Sequence, residues 1–280
     1  MSDGPEAVSR FRGTTREGWV KVPEITVVFW VAKIVSTAFG EALSDLLNQR
    51  FDPYVVVPLA GVLCLAALLV QLFADRYQPL RYWFAVAMVA IFGTMVADVI
   101  HVQLGVPYAV STVGFAVVLA LVLAAWHASE KTLSIHSIRT RRRETFYWAT
   151  VVVTFALGTA VGDLTAVSFD LGYLASGVVF AVLMLVPLVG YSKLLPRRMN
   201  VVVAFWFAYI LTRPLGASFA DYFSKSKAGG LGYGDGIVSV VLLVMMLLAV
   251  ASMLVGRDGR RAQPDASSTA RIRESDIMAP

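Results

Sequence analysis

Apolar residues fill eight runs of the chain, at roughly 25–48, 54–74, 82–104, 107–127, 146–168, 171–191, 201–223 and 235–255. Each run is close to the about 20 residues that a membrane-spanning helix needs, so the pattern predicts an all-α polytopic membrane protein of eight transmembrane helices. The runs alternate in kind. Odd-numbered runs carry an aromatic–Trp pair near their start and charged residues further on, whereas even-numbered runs have no Asp, Glu, Lys or Arg in their interiors. The odd runs also share a spacing. Phe29-Trp30 leads to Gly40 and Asp45, Tyr82-Trp83 to Gly93 and Asp98, Tyr147-Trp148 to Gly158 and Asp163, and Phe205-Trp206 to Gly216 and Asp221. In every copy the Gly lies ten residues after the Trp and the Asp five after the Gly, which marks four two-helix repeats.

Helical geometry puts the charges of the odd runs on one face. At about 100° per residue, counted from each Trp, Lys33, Arg213, Glu41 and the four aspartates fall in one stripe about 120° wide. Gly40, Gly93, Gly158 and Gly216 border that stripe, where small residues let helices approach closely in lipid. Charges within a bilayer are costly and face the bundle interior or water. The expected arrangement therefore has the four odd helices inside, running the same way about an axis along the membrane normal, and the even helices toward lipid. At about 1.5 Å per residue the aspartates share one depth in the outer half of the membrane, with Glu41 about 6 Å deeper, near the midplane. Thr94 and Thr159 occupy the position of Glu41 in repeats two and three.

Composition agrees with the periodicity. Of the 280 residues 58% are hydrophobic and 15% charged, well under the roughly 25% charged of a soluble domain. The net charge of +5 is not a nucleic-acid footprint, because 19 of the 24 Lys and Arg lie in the two tails and in the loops near 75–81, 128–145 and 192–200. That asymmetry is the positive-inside rule, and it places both termini in the cytoplasm of a cell whose inner membrane holds the protein. The boundaries expected are a tail at 1–21, flexible up to a Pro23 in the first turn of span one, repeats one and two at 22–127, a basic loop at 128–145, repeats three and four at 146–255, and a disordered tail at 256–280. The first 20 residues lack the apolar core of a signal peptide. Aromatics at both ends of the spans suggest two interfacial belts, and the basic loop either fixes topology or lies on anionic headgroups. A single cysteine, Cys64, allows no disulfide framework.

The four Trp–Gly–Asp units, the loop Ser134-Ile-His-Ser-Ile-Arg-Thr-Arg-Arg-Arg-Glu144 and the segment Thr212-Arg-Pro-Leu-Gly-Ala-Ser-Phe-Ala-Asp221 together resemble a bacterial family of uncharacterised membrane-anchored proteins with a fourfold repeat of unknown function. The resemblance covers about residues 22–255. It implies the eight-span, four-repeat fold and no particular activity.

The chemistry of the stripe points to a cation. Carboxylates beside threonine hydroxyls are hard oxygen ligands, suited to a proton or a small ion. Asp45, Asp98, Asp163, Asp221 and Glu41 are the candidate ion-binding residues. Arg213, beside Pro214, is the natural partner of Glu41 and a gate or counter-charge. Lys33 has the same candidate role or snorkels to the near interface. His101, three residues after Asp98, is a candidate metal ligand with it or a solvated interfacial histidine. Beyond a bound cation and the bilayer, no cofactor or partner is expected, and the oligomeric state is open. The expected function is a small-cation transporter or channel, not an enzyme. One alternative is a non-transporting scaffold or sensor in which each Asp satisfies backbone groups at a helix end. Another is an intramembrane aspartyl protease, since Gly232-Tyr233-Gly234-Asp235 matches a Gly-x-Gly-Asp motif. A turn and helix N-cap explain those residues better, because Asp235 aligns with the outer loop of the other repeats and no Pro-Ala-Leu element of such proteases is present.

Overall fold

The computed structural model describes residues 20–191 and 199–262. Among these the chain forms helices α1 (Val27–Arg50), α2 (Pro53–Leu72), α3 (Pro79–Asp98), α4 (Tyr108–Glu130), α5 (Arg141–Asp163), α6 (Gly172–Leu183), α7 (Leu185–Tyr191), α8 (Val201–Ser224) and α9 (Asp235–Ala262), with no strand. Eight segments are long and apolar enough to cross a membrane, α6 and α7 together supplying the sixth. The protein is an all-α polytopic membrane protein.

Local chemistry sets the helix ends. Thr26, Asp52, Thr140 and Asn200 each accept a hydrogen bond from a backbone N–H in the first turn of α1, α2, α5 and α8. Pro53 opens α2 where its missing N–H costs nothing. The sixth span breaks at Met184, three residues before Pro187, whose ring clashes with the preceding turn. Pro23 lies ahead of α1 rather than in its first turn, because Thr26 is the cap. In repeats two and three the helix widens into a π turn straight after the repeat aspartate, at Val99–Gln103 and Leu164–Ser168. Repeats one and four remain α-helical there.

The inner helices α1, α3, α5 and α8 form a closed ring, each packed on the next and α8 on α1. The outer helices interlock the repeats. The outer helix of each repeat packs mainly on the inner helix of the following one: α2 on α3, α4 on α5, α6 on α8, and α9 back on α1. Burial follows: about two-thirds of each inner span is enclosed, against 17–28% of each outer span. The glycines make the ring possible. Gly40 faces Ala90, Gly93 faces Phe155, Gly158 faces Arg213 and Gly216 faces Thr37, in each case the residue seven after the Trp of the next repeat.

The aromatic pairs close one end of the ring instead of lining a lipid interface. Phe29 meets Trp83, Tyr82 meets Trp148, Tyr147 meets Trp206 and Phe205 meets Trp30, with ring centroids 5.4–6.2 Å apart. The Tyr82 and Tyr147 hydroxyls bond to each other across this layer. Buried phenols need such a partner, so this is a packed plug. Of the tyrosines that open the even spans, Tyr54 and Tyr233 are exposed, whereas Tyr173 is buried and Tyr108 half-buried.

The polar segments at this end are also folded in. α5 begins at Arg141, five residues before the expected span. The loop before it buries Ile135 and Ile138, and its Leu133 carbonyl accepts from the Trp206 indole at 2.9 Å. Glu144 is fully buried and pairs with Lys21 at 2.8 Å, while Gln71 donates to its other oxygen at 3.0 Å. Lys21 is thus anchored, not part of a free tail. α9 continues to Ala262, so residues 256–262 are helical where a disordered tail was expected; the rest of that tail, residues 1–19 and the basic residues at 192–198 lie outside the described residues.

A Cβ on Gly93 would stand 2.6 Å from the Phe155 Cβ, whereas one on Gly114 in α4 would meet nothing within 4 Å. Gly93→Ala is therefore expected to cost about 1–3 kcal/mol through forced separation of α3 and α5. Gly114→Ala should leave the melting midpoint of the purified protein unchanged or higher. Equal midpoints for the two variants would contradict the packing.

Candidate functional site

Three levels of side chains stand on the axis beyond the aromatic plug. At the first, Lys33 points inward from α1. Its Nζ lies 4.1 Å from the centre of the Phe155 ring and 4.4 Å from that of Tyr209, and it is buried with no ion-pair partner among the described residues. The snorkelling expected for it does not occur, because the helix face that carries it is turned to the axis and the aromatic layer closes the route to the interface.

At the second level Arg213, from α8, touches all three other inner helices. Its Nη2 donates to Glu41 Oε2 on α1 at 2.7 Å, to Thr159 Oγ1 on α5 at 2.8 Å and to Thr94 Oγ1 on α3. Its Nη1 donates to the Thr37 carbonyl at 3.2 Å. The Thr94 hydroxyl adds a bond to Glu41 at 3.2 Å. The pair is enclosed, with 1% and 3% of the two side chains exposed. The expected Arg213–Glu41 pairing is present, and the two threonines are its further ligands.

The third level holds the aspartates. Asp45, Asp98 and Asp163 line a cavity of about 280 Å³ together with Tyr108, Tyr173 and Lys225. Asp221 stands behind them, 2.9 Å from the Lys225 Nζ, which is also 2.9 Å from Asp45. Asn48 donates to Asp98 at 3.2 Å. His101 meets the Tyr108 ring edge-on, shares a 2.6 Å hydrogen bond with Ser111 and turns Nδ1 toward Asp163 at 3.9 Å. The expected Asp98–His101 ligand pair is not formed, because the π turn after Asp98 swings the ring toward the next repeat. The residues whose oxygens converge within 4.8 Å of one another are Glu41, Asp45 and Asp221. Among the described residues no recorded bond from a repeat aspartate satisfies a helix-end backbone group; their partners are side chains. Asp235 accepts from Gln49 at 2.7 Å through Oδ2, and its buried Oδ1 has no hydrogen-bond partner among the described residues, neither a backbone N–H of α9 nor Asp221.

Lys225 follows α8 directly, outside the spans. Burial alone would lower its pKa, but Asp221 and Asp45 outweigh that and hold the ammonium well above its ordinary range. It stays charged at any physiological pH. The acidic level therefore carries four carboxyl groups and one fixed cation.

A family model described as Repeat of Unknown Function (DUF347) matches residues 28–77, 81–132, 146–194 and 204–257, well over half the chain. The protein belongs to this family. No curated protein and no solved structure matches the chain. Each DUF347 match begins within a few residues of a repeat Trp and takes in one inner and one outer helix.

Within the DUF347 repeats, reading from the sequence missed Lys225, Asn48, Tyr108 and Tyr173. Lys225 was findable, since it lies four residues after Asp221 on the same helical face. The other three depend on which repeats become neighbours. Removing one member of a buried ion pair typically costs about 3–5 kcal/mol, because the other charge is left without compensation. Arg213→Met is expected to destabilise by about that much, and Arg213→Met/Glu41→Gln to recover part of it. Thermal melts of the two single variants and the double variant test this; strictly additive losses would show that the pair is not coupled.

Proposed function

We propose that this DUF347 protein is a transporter or channel for a small cation, with the acidic cavity as its loading site and the Arg213–Glu41 level as the barrier beneath. One observation carries the reading: three aspartates from three inner helices line one cavity, and the fourth is held beside it by a single lysine. The C-terminal ends of four parallel helices meet at the same level, and their partial negative charges add to the attraction for a cation. The carboxylate oxygens in the lining suit hard ions. By the distribution of Lys and Arg, the protein lies in the cytoplasmic membrane with both termini on the cytoplasmic side, so the cavity faces outward.

No enzymatic step is part of this reading. Asp221 and Asp235 have different partners, Lys225 and Gln49, which speaks against a carboxyl pair sharing a proton. A sensor or scaffold remains the second reading, favoured by the aromatic plug that closes the axis.

Flux into proteoliposomes, measured over a panel of monovalent and divalent cations with and without a pH gradient, tests the proposal. Wild type is expected to pass a selected cation. Asp98→Asn/Asp163→Asn should fall to the level of empty vesicles while remaining monodisperse, with an unchanged melting midpoint. No flux from well-folded wild type would favour the sensor or scaffold.

A further inference from the structure

The Lys225 ammonium is in an unusual place for a loop lysine. It comes from the residue that ends α8, yet its Nζ reaches Asp45 Oδ2 and Asp221 Oδ1 at 2.9 Å each. These two residues and Glu41 are the three whose oxygens converge. Neither of the two contacted oxygens accepts a hydrogen bond of ordinary geometry, although both are buried and the Asp221 side chain is 4% exposed. A buried carboxylate oxygen that lacks directional donors is costly unless a charge stands beside it. The arrangement is one that a spherical cation satisfies as well as an ammonium.

The attachment of Lys225 leaves its side chain free to leave. Its backbone is fixed: its N–H donates to the Asp221 carbonyl at 2.9 Å and its carbonyl accepts from Gly232 at 3.0 Å. The following loop is stitched to α8 by Leu231 to Tyr222, Tyr233 to Phe223 and Gly234 to Ser224. Gly232 and Gly234 take positive φ to allow this path. What can move is the flexible four-carbon stem. It borders the cavity, and the Tyr173 ring, 5.6 Å from the Nζ, offers the ammonium an alternative seat. The equivalent positions in the other repeats are Gln49, Val102 and Val167, so only one such lysine is built in.

We propose that Lys225 is a tethered surrogate for the ion: its ammonium occupies a cation site made by Asp45, Asp221 and Glu41, and a small monovalent cation such as sodium binds by displacing it into the cavity. Exchange of one positive charge for another leaves the net charge of the enclosed site unchanged, which a second charge would not. The displaced ammonium loses both carboxylates, so its amine becomes more exposed and more nucleophilic. The cation thereby controls the position of Lys225, and Lys225 weakens the apparent affinity for the cation by the fraction of time it fills the site.

This inference rests on the reading of the acidic level as a cation site, but it is tested by binding rather than flux. The melting midpoint of the detergent-solubilised full chain is titrated with sodium chloride against choline chloride at constant ionic strength. Lys225→Met is expected to bind sodium at least about tenfold more tightly than wild type, as an occupied site becomes vacant. Lys225→Met/Asp221→Asn should lose that gain. Acylation of wild type supplies a readout independent of any variant: sodium should speed modification of Lys225 relative to the exposed Lys227. Sodium affinity unchanged in Lys225→Met, or Lys225 labelling indifferent to sodium, would overturn the surrogate role even if wild type transports. Tighter binding and sodium-dependent labelling without any flux would uphold it while removing the transport reading.

Discussion

A single guanidinium holds the four inner helices to one axis. Arg213 bonds to Glu41, Thr94, Thr159 and the Thr37 carbonyl, and so joins α8 to α1, α3 and α5. The repeat could not be identical at this level. Four arginines or four glutamates on one axis would repel each other in a medium of low dielectric, and no arrangement of solvent would screen them. One arginine, one glutamate and two threonines give a neutral set in which the charged groups are paired. Asymmetry here is what electrostatics demands of a fourfold ring with a closed centre. Gly158 belongs to the same solution, since it makes the room through which the Arg213 stem passes.

The interlocking of the repeats follows from the same economy of space. An outer helix laid on its own inner helix would give four separate hairpins, each with an apolar face to bury and little to specify its neighbour. Laying it on the next repeat makes every contact between repeats also a contact within the ring, and α9 on α1 closes the circle. The glycine at each crossing and the aromatic pair at each start repeat that relation with the same offset of one repeat.

Much of this was legible in the chain because helix periodicity and repeat spacing are local properties. The eight spans, the inner and outer sets, the shared depth of Asp45, Asp98, Asp163 and Asp221, and the Glu41–Arg213 pair all follow from counting residues along a 3.6-residue turn. The direction of Lys33 did not, because snorkelling and burial on the axis use the same helical face. The identity of each aspartate's partner did not either. Asp98 and Asp163 are followed by π turns that no residue type announces, and Lys225 of the fourth repeat reaches Asp45 of the first. The role of the aromatic pairs was misread for a related reason: a belt in lipid and a ring in a plug have the same spacing, and only the closure of the bundle separates them.

The order of charges along the axis constrains any movement of ions. From the acidic cavity inward a cation meets the carboxylates, then Arg213, then Lys33, then closed aromatic rings. The carboxylates attract it; beneath them the Arg213–Glu41 set is paired and neutral and offers a cation no free ligand, and the Lys33 side chain fills the axis below that. On the cation reading, this conformation would load from the acidic end and is shut beneath by the paired Arg213 and the aromatic plug. Passage through it requires Arg213 to withdraw, and Arg213 cannot withdraw alone, because its partners lie on all three other inner helices. The movement must involve the α8 backbone, and Pro214 beside Arg213 supplies the point at which the helix lacks a hydrogen bond to resist bending. Transport in this bundle would therefore be a two-state shift of one repeat against the other three, not the widening of a symmetric pore.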